Sequence, residues 1–178
     1  MPRIANTCYL HQEFWSKVVI LQQKMVSAEI QLRIYETVRT PFRQVELYHI
    51  GRMGDPRRIV TRAKAWHSKH QYGLAVDMVF LVKGKWTWSE PSPGMWSIYQ
   101  SEAKSLGLVY LPTEKPHVEF DCQIDDLIRG RFPGDGGALH TGWLETQIET
   151  WGRGMRTIEG IVHPSAPPFT TDRPGLDE

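Results

Sequence analysis

The segment Ser68-Lys69-His70-Gln71-Tyr72-Gly73-Leu74-Ala75-Val76-Asp77, followed later by Glu114-Lys115-Pro116-His117, constrains the fold of this chain more than any other feature. Two imidazoles and a carboxylate are the donor set of a metal site with three protein ligands and one open position. Glu114 adds a spare carboxylate beside the third ligand, a base for the proton of an attacking water. If one ion is shared, the backbone must bring together residues that are distant in sequence. On a single helix, His70 and Asp77 would sit two turns apart on one face. Gly73, Val76, Val79 and Phe80 argue instead for a turn running into a strand, with Gly73 supplying the bend. Pro116-His117-Val118-Glu119-Phe120 reads as the neighbouring strand, His117 and Glu119 on one face and Val118 on the other. Adjacent strands then present His70, Asp77 and His117 to one ion, and that donor set favours zinc.

Taken singly, a histidine or aspartate in such a chain reads as a surface or capping residue. The joint pattern, with Glu114 three residues before His117, carries the metal reading. His67 and Glu119 rank below the trio: His67 as a nearby surface or supporting residue, Glu119 as a salt-bridging or ligand-orienting one. Glu114 is the candidate general base. Arg39, at the end of a predicted strand, is the candidate oxyanion stabiliser, with Arg43 its nearest competitor. Ser68 and Gln44 are candidate substrate contacts or ligand-orienting groups, Ser68 being equally a candidate turn-closing hydroxyl, and Tyr72 either contacts substrate or packs. Trp86, Trp88 and Trp96 form either a binding rim or part of the core.

Hydrophobic spacing predicts a helix over residues 11–29, a strand over 31–39, and a second helix from Thr40-Pro41 to about Ile50. Residues 51–69 read as loop and 74–82 as a central strand, with a turn at Lys83-Gly84-Lys85 and a short returning strand after it. A helix over 94–106 precedes short strands at 108–111 and 117–121, joined by a Pro112–Pro116 loop. A short helix or turn over 121–131 and a helix over 139–151 complete the pattern. The fold class is α+β: a small, largely antiparallel sheet with helices packed on it and a single zinc site. Three segments follow: a zinc-binding domain over 1–136, a helical extension packed on it over 137–162, and a proline-rich tail over 163–178.

The net charge of +1 does not indicate a nucleic-acid partner or a membrane surface. The charge is uneven: residues 121–178 hold five basic and ten acidic side chains, against 16 and 10 before them. No apolar run is long enough to insert in a bilayer, and Met1-Pro2-Arg3 is not followed by the apolar stretch of a secretory signal. Cys8 and Cys122 lie in no metal or redox spacing and read as free buried thiols.

The Ser-x-His-x-x-Gly-x-Ala-x-Asp and Glu-x-x-His motifs together resemble the signature of the VanY-like family of zinc D-Ala-D-Ala and L-Ala-D-Glu peptidases. The resemblance is widest in the branch that includes phage endolysins. It spans residues 10–135 and takes in Glu36-Thr37-Val38-Arg39-Thr40, Gln44, Leu47-Tyr48, Gly51-Arg52 and Ile59-Val60-Thr61-Arg62-Ala63. It implies a hedgehog/DD-peptidase-like fold and one zinc ion on His70, Asp77 and His117. It further implies that Glu114 is the general base and that Arg39 faces the scissile carbonyl. The implied partner is peptidoglycan and the implied activity is L-Ala-D-Glu endopeptidase. The alternatives are a D-Ala-D-Ala carboxypeptidase and a zinc-stabilised wall-binding module without catalysis. Many endolysin-type relatives carry a Trp-Gly-Gly-like stretch where this chain has Gly107-Leu108-Val109-Tyr110-Leu111-Pro112-Thr113; that difference leaves the zinc set intact and bears on substrate preference. The expectation is a monomer made in the cytoplasm and acting on the wall, with holin-type release if it is phage-derived.

Overall fold

The structure, a computed structural model, describes residues 1–169. The first helix, α1 (Gln12–Ser27), forms around an apolar stripe in which Phe14, Val18, Leu21 and Met25 are all buried. Each such side chain contributes about 1.5–3 kcal/mol on leaving water. Strand β1 (Leu32–Glu36) and helix α2 (Pro41–His49) follow. Thr40 starts α2 as expected: its hydroxyl accepts from the Arg43 N–H at 3.0 Å, and Pro41 occupies the first turn, where no N–H is required. Next come β2 (Ala75–Val82), β3 (Lys85–Thr87), α3 (Met95–Ser105), β4 (Leu108–Leu111) and β5 (Glu114–Phe120). The chain continues through α4 (Ile124–Ile128), α5 (Ala138–Trp151), β6 (Arg156–Ile158) and β7 (Ile161–His163).

The main sheet runs β1-β2-β5-β4, with β3 also paired to β2, and every pairing is antiparallel. This is an α+β architecture. Period-two alternation gives the sheet two different faces. Leu32, Val76, Met78, Phe80, Val118 and Phe120 point into a core shared with α1, with Trp96, Tyr99 and Ala103 of α3, and with Trp143, Leu144 and Trp151 of α5. The other face carries Asp77 and His117, which pair directly across β2 and β5, while Glu36 pairs with Asp77 from β1. A row of three polar side chains thus crosses three adjacent strands.

Irregularities flank that row on both sides. The β1–β2 register shifts between Ile34 and Glu36, and the β4–β5 register shifts between Tyr110 and Leu111. Such bulges re-aim side chains. The first turns Tyr35 to the same cavity as Glu36, and the second brings Glu114 to the same cavity as His117.

Several boundaries differ from the expectation. β1 stops at Glu36 because the chain leaves the sheet there, and the Arg39 N–H bonds instead to the His70 carbonyl at 3.0 Å. β5 begins at Glu114, so the expected loop around residues 112–116 shrinks to a turn. The β6–β7 hairpin was not expected. It turns on Glu159 (φ 47°) and Gly160 (φ 77°), a two-residue turn with both residues left-handed, without the Asn-Gly pair that usually announces one. The segment expected as a tail from residue 163 starts as the end of β7; Pro164 O then accepts from the Trp151 indole at 3.1 Å, and Ala166 and Phe169 pack on the core. Residues 170–178 of that expected tail lie outside the described residues. Both cysteines are free, and Cys8 is exposed rather than buried. No helix among the described residues is long and apolar enough to cross a membrane.

Candidate metal centre

Local backbone geometry places the first candidate ligand. His70 lies in a short 3-10 turn, Lys69–Tyr72, that ends on Gly73 with φ 65°. A side chain at Gly73 would be strained by that φ, and its Cβ would also stand 2.6 Å from the Tyr9 carbonyl oxygen. The reversal sends the chain into β2 two residues later, so His70 folds back over Asp77 while β5 delivers His117.

Three atoms converge. His70 Nε2 is 3.2 Å from His117 Nδ1 and 3.4 Å from Asp77 Oδ1, and His117 Nδ1 is 3.1 Å from Asp77 Oδ1. Donors about 2.0–2.1 Å from a tetrahedral ion stand about 3.3 Å apart, so the triangle matches one face of such a site. The far side of each ring fixes its tautomer. His70 Nδ1 faces the Thr37 carbonyl at 2.5 Å and must donate to it. His117 Nε2 donates to Glu119 Oε2 at 3.1 Å. Two nitrogen lone pairs and a carboxylate oxygen are therefore aimed at one point, an arrangement that repels itself unless a cation or a proton is held there. The donor set suits a zinc ion.

The supporting contacts form a chain of charges. Glu119 Oε1 accepts from Lys69 Nζ at 2.7 Å, and the same ammonium donates to Phe120 O at 2.9 Å. Arg39 donates through Nη2 to Asp77 Oδ2 at 2.7 Å and through Nε to Glu36 Oε2 at 2.6 Å. Asp77 is thereby left with one oxygen for the centre. Glu36 in turn lies 3.7 Å from Arg43 Nε.

These contacts set the protonation states. Burial and the Arg39 charge push His70 below its ordinary value, so it is neutral and ready to ligate. Burial alone would raise Asp77, but His70, His117 and Arg39 hold it well below the carboxylate range. His117 loses to burial but gains more from Asp77 and Glu119, and it is raised to about 9. Burial likewise works against ionised Glu119, and His117 and Lys69 more than offset it. Without an ion, a proton on His117 fills the gap between the three donors.

Two cavities, of about 380 and 640 Å³, meet at Arg39, Thr61, Glu114 and His117. The smaller runs past Ser68, Glu119 and Gln123, and the larger past Tyr35, Arg43 and Trp88. Glu114 is exposed and lines both, as does Arg39. Ser68 lines the smaller cavity and its hydroxyl caps nothing. Gln44 and Tyr72 are elsewhere. Gln44 is fully buried, with its amide donating to Ala63 O at 2.8 Å, and it pins the loop that forms the cavity wall. Tyr72 is also fully buried, its hydroxyl donating to Trp66 O at 2.9 Å. Neither can touch a substrate in this arrangement. His67 sits exposed at the rim, Trp96 is core, and Trp86 and Trp88 are exposed.

Sequence reasoning passed over three contributors. Thr37 acts through its carbonyl, which no side-chain pattern reveals. Glu36 looks like an ordinary strand residue. Lys69 sits at an unspecified motif position, and lysine is ordinarily solvated. Its place beside the candidate ligand His70 is the only available signal.

No family model matches this chain, and no curated protein matches it. Among solved structures it is similar to the L,D-carboxypeptidase DacB of Streptococcus pneumonia. That match has a TM-score of 0.48 and 21% identity, covering 66% of this chain and 74% of that one. It is also similar to the Serratia marcescens L-Ala D-Glu endopeptidase ChiX, with a TM-score of 0.44 and 17% identity, covering 67% of this chain and 90% of that one.

Proposed function

We propose that this protein is a zinc-dependent peptidase that cuts within the stem peptides of peptidoglycan, at the L-Ala–D-Glu bond. The observation that carries the hydrolytic reading is the convergence of two imidazole lone pairs and one carboxylate oxygen beside a cleft lined by a further, exposed carboxylate. A divalent ion held by His70, Asp77 and His117 supplies Lewis-acid polarisation of a carbonyl and a lowered pKa for water. Glu114 takes the proton of the attacking water and returns it to the leaving amine. Arg39 spends two of its N–H groups on Asp77 and Glu36, which fixes its guanidinium in the cleft wall. Its Nη1 has no partner among the described residues and is left to meet the negative charge that would develop on the carbonyl oxygen.

Cutting inside a chain, rather than at its end, is supported by the cleft running past Glu114 and His117 in both directions. A carboxypeptidase needs one side closed around a terminal carboxylate. Digestion of purified peptidoglycan by the zinc-loaded protein and by Glu114→Ala, with mass analysis of the products, tests the reading. New L-Ala carboxyl ends and D-Glu amino ends, lost in the variant, are expected. Release of free D-Ala alone would move the activity to a carboxypeptidase, and no product from either protein would remove it.

A further inference from the structure

Three neighbouring aromatic rings belong neither to the core nor to the metal centre. Tyr35 is turned out of β1 by the bulge, Trp86 lies on β3, and Trp88 follows it. The Tyr35 ring stands 4.8 Å from Trp88 and 5.8 Å from Trp86 between centroids, edge-on to both. Trp86 and Trp88 are 41% and 52% exposed, large values for tryptophan in a chain whose Trp66 and Trp151 are fully buried. The Arg3 guanidinium lies 3.9 Å over Tyr35 and 5.4 Å from Trp86, with no carboxylate partner among the described residues. Cation–π contact holds it against one face of Tyr35, a polar group bordering the two exposed tryptophans.

This aromatic shelf continues the cleft. Tyr35 and Trp88 line the same 640 Å³ cavity as Glu114 and His117, with Thr113 and Lys115 at its border. Two exposed tryptophans and one partly buried tyrosine are far too small for a stable protein interface, which buries about 800 Å² per partner. Aromatic faces with N–H and guanidinium groups at their edge suit a flat, amphipathic ring that has a C–H face and a polar rim. A pyranose has that form.

We infer that Tyr35, Trp86 and Trp88 form a subsite for a saccharide ring of the glycan strand that bears the peptide. This deepens the peptidase reading and rests on it: L-Ala joins the stem to its sugar, so a cut at L-Ala–D-Glu leaves a sugar ring one residue from the scissile bond. The shelf stacks that ring and the cleft receives the peptide.

Titration with a β-1,4-linked N-acetylglucosamine tetramer, followed by intrinsic tryptophan fluorescence, tests the shelf without any turnover. The wild-type chain is expected to bind it, and Trp88→Ala and Trp86→Ala to weaken binding about tenfold or more, the scale of losing a packed aromatic contact. Trp88→Tyr, which keeps a stacking face, should recover most of the affinity; this separates stacking from a folding defect. No binding by the wild type, or equal binding by wild type and both alanine variants, overturns the inference. The titration reads the shelf even if no peptide bond is cut. Conversely, peptidoglycan cleavage without tetramer binding would refute the shelf and leave the peptidase standing.

Discussion

Glu119→Gln is the most informative small change at the centre. The carboxylate stands between two donors, Lys69 Nζ at 2.7 Å and His117 Nε2 at 3.1 Å. It keeps the His117 proton on Nε2 and so leaves Nδ1 free to ligate. Glutamine has the same shape but offers one acceptor and one donor group. The Lys69 ammonium has no lone pair, so the amide oxygen turns to Lys69 and the NH2 turns to His117. His117 must then accept at Nε2 and carry its proton on Nδ1, where the metal would bind. Removing an outer partner of this kind costs about 10–100-fold in metal affinity. Stability also falls, since the Lys69 side chain is only 8% exposed. Removing the charge partner of a buried ion costs up to about 3–5 kcal/mol, and the bonds Lys69 keeps to Phe120 O and to the new amide oxygen hold the loss at or below the low end. Zinc competition against a chromophoric chelator gives the affinity, and urea unfolding of the metal-free protein gives the stability. A Glu119→Gln protein that binds zinc as tightly as the wild type would refute the tautomer argument.

Four further outcomes are expected elsewhere in the molecule and against pH. Gly73→Ala should lower stability by about 2 kcal/mol or more, because the left-handed φ alone costs about 1–2 kcal/mol and the Tyr9 oxygen must also move; urea unfolding that matches the wild type would contradict it. Zinc affinity should rise about tenfold per pH unit up to about 9 and then level off, because binding displaces the His117 proton. In the metal-free protein, that raised value means the His117 contribution to stability is complete below 6.5 and lost as pH rises through about 9, which melting against pH would show. His163, buried in the β6–β7 hairpin with His49 and Lys64 close by, is pushed down to about 4. It costs stability as pH falls from 6.5 toward 4, by up to about 3 kcal/mol, and a His163→Gln chain should lose that part of the acid sensitivity.

The parts of this molecule that local rules control were legible in its sequence. Thr40 and Pro41 announce α2, the stripe from Phe14 to Met25 announces α1, and Gly73 between His70 and Asp77 announces the reversal that sets them together. Pairing of Asp77 with His117 needs only two neighbouring strands with the right faces. What stayed hidden depends on tertiary context. Strict alternation would put Glu114 and His117 on opposite faces of β5, and only the bulge against β4 brings both to the cleft. The bulge at Tyr35 likewise has no sequence mark. Gln44 and Tyr72 look like polar site residues, yet each donates a hydrogen bond that holds a loop. Arg39 was readable as a cleft cation but not as the group that holds Asp77 by its second oxygen. The β6–β7 hairpin shares its left-handed X-Gly turn with Lys83-Gly84. The earlier turn follows a clear apolar strand, whereas Arg156–Ile158 does not advertise one.

Hydrolysis should depend on one ion held by His70, Asp77 and His117. The direct measurement removes metal with a chelator, restores zinc in steps, and counts new D-Glu amino ends released from peptidoglycan against zinc bound. No release is expected from the stripped protein, with a linear return to a plateau at one zinc per chain and no return in Asp77→Asn. Release that persists in the stripped protein, or that Asp77→Asn recovers in full, would contradict that dependence.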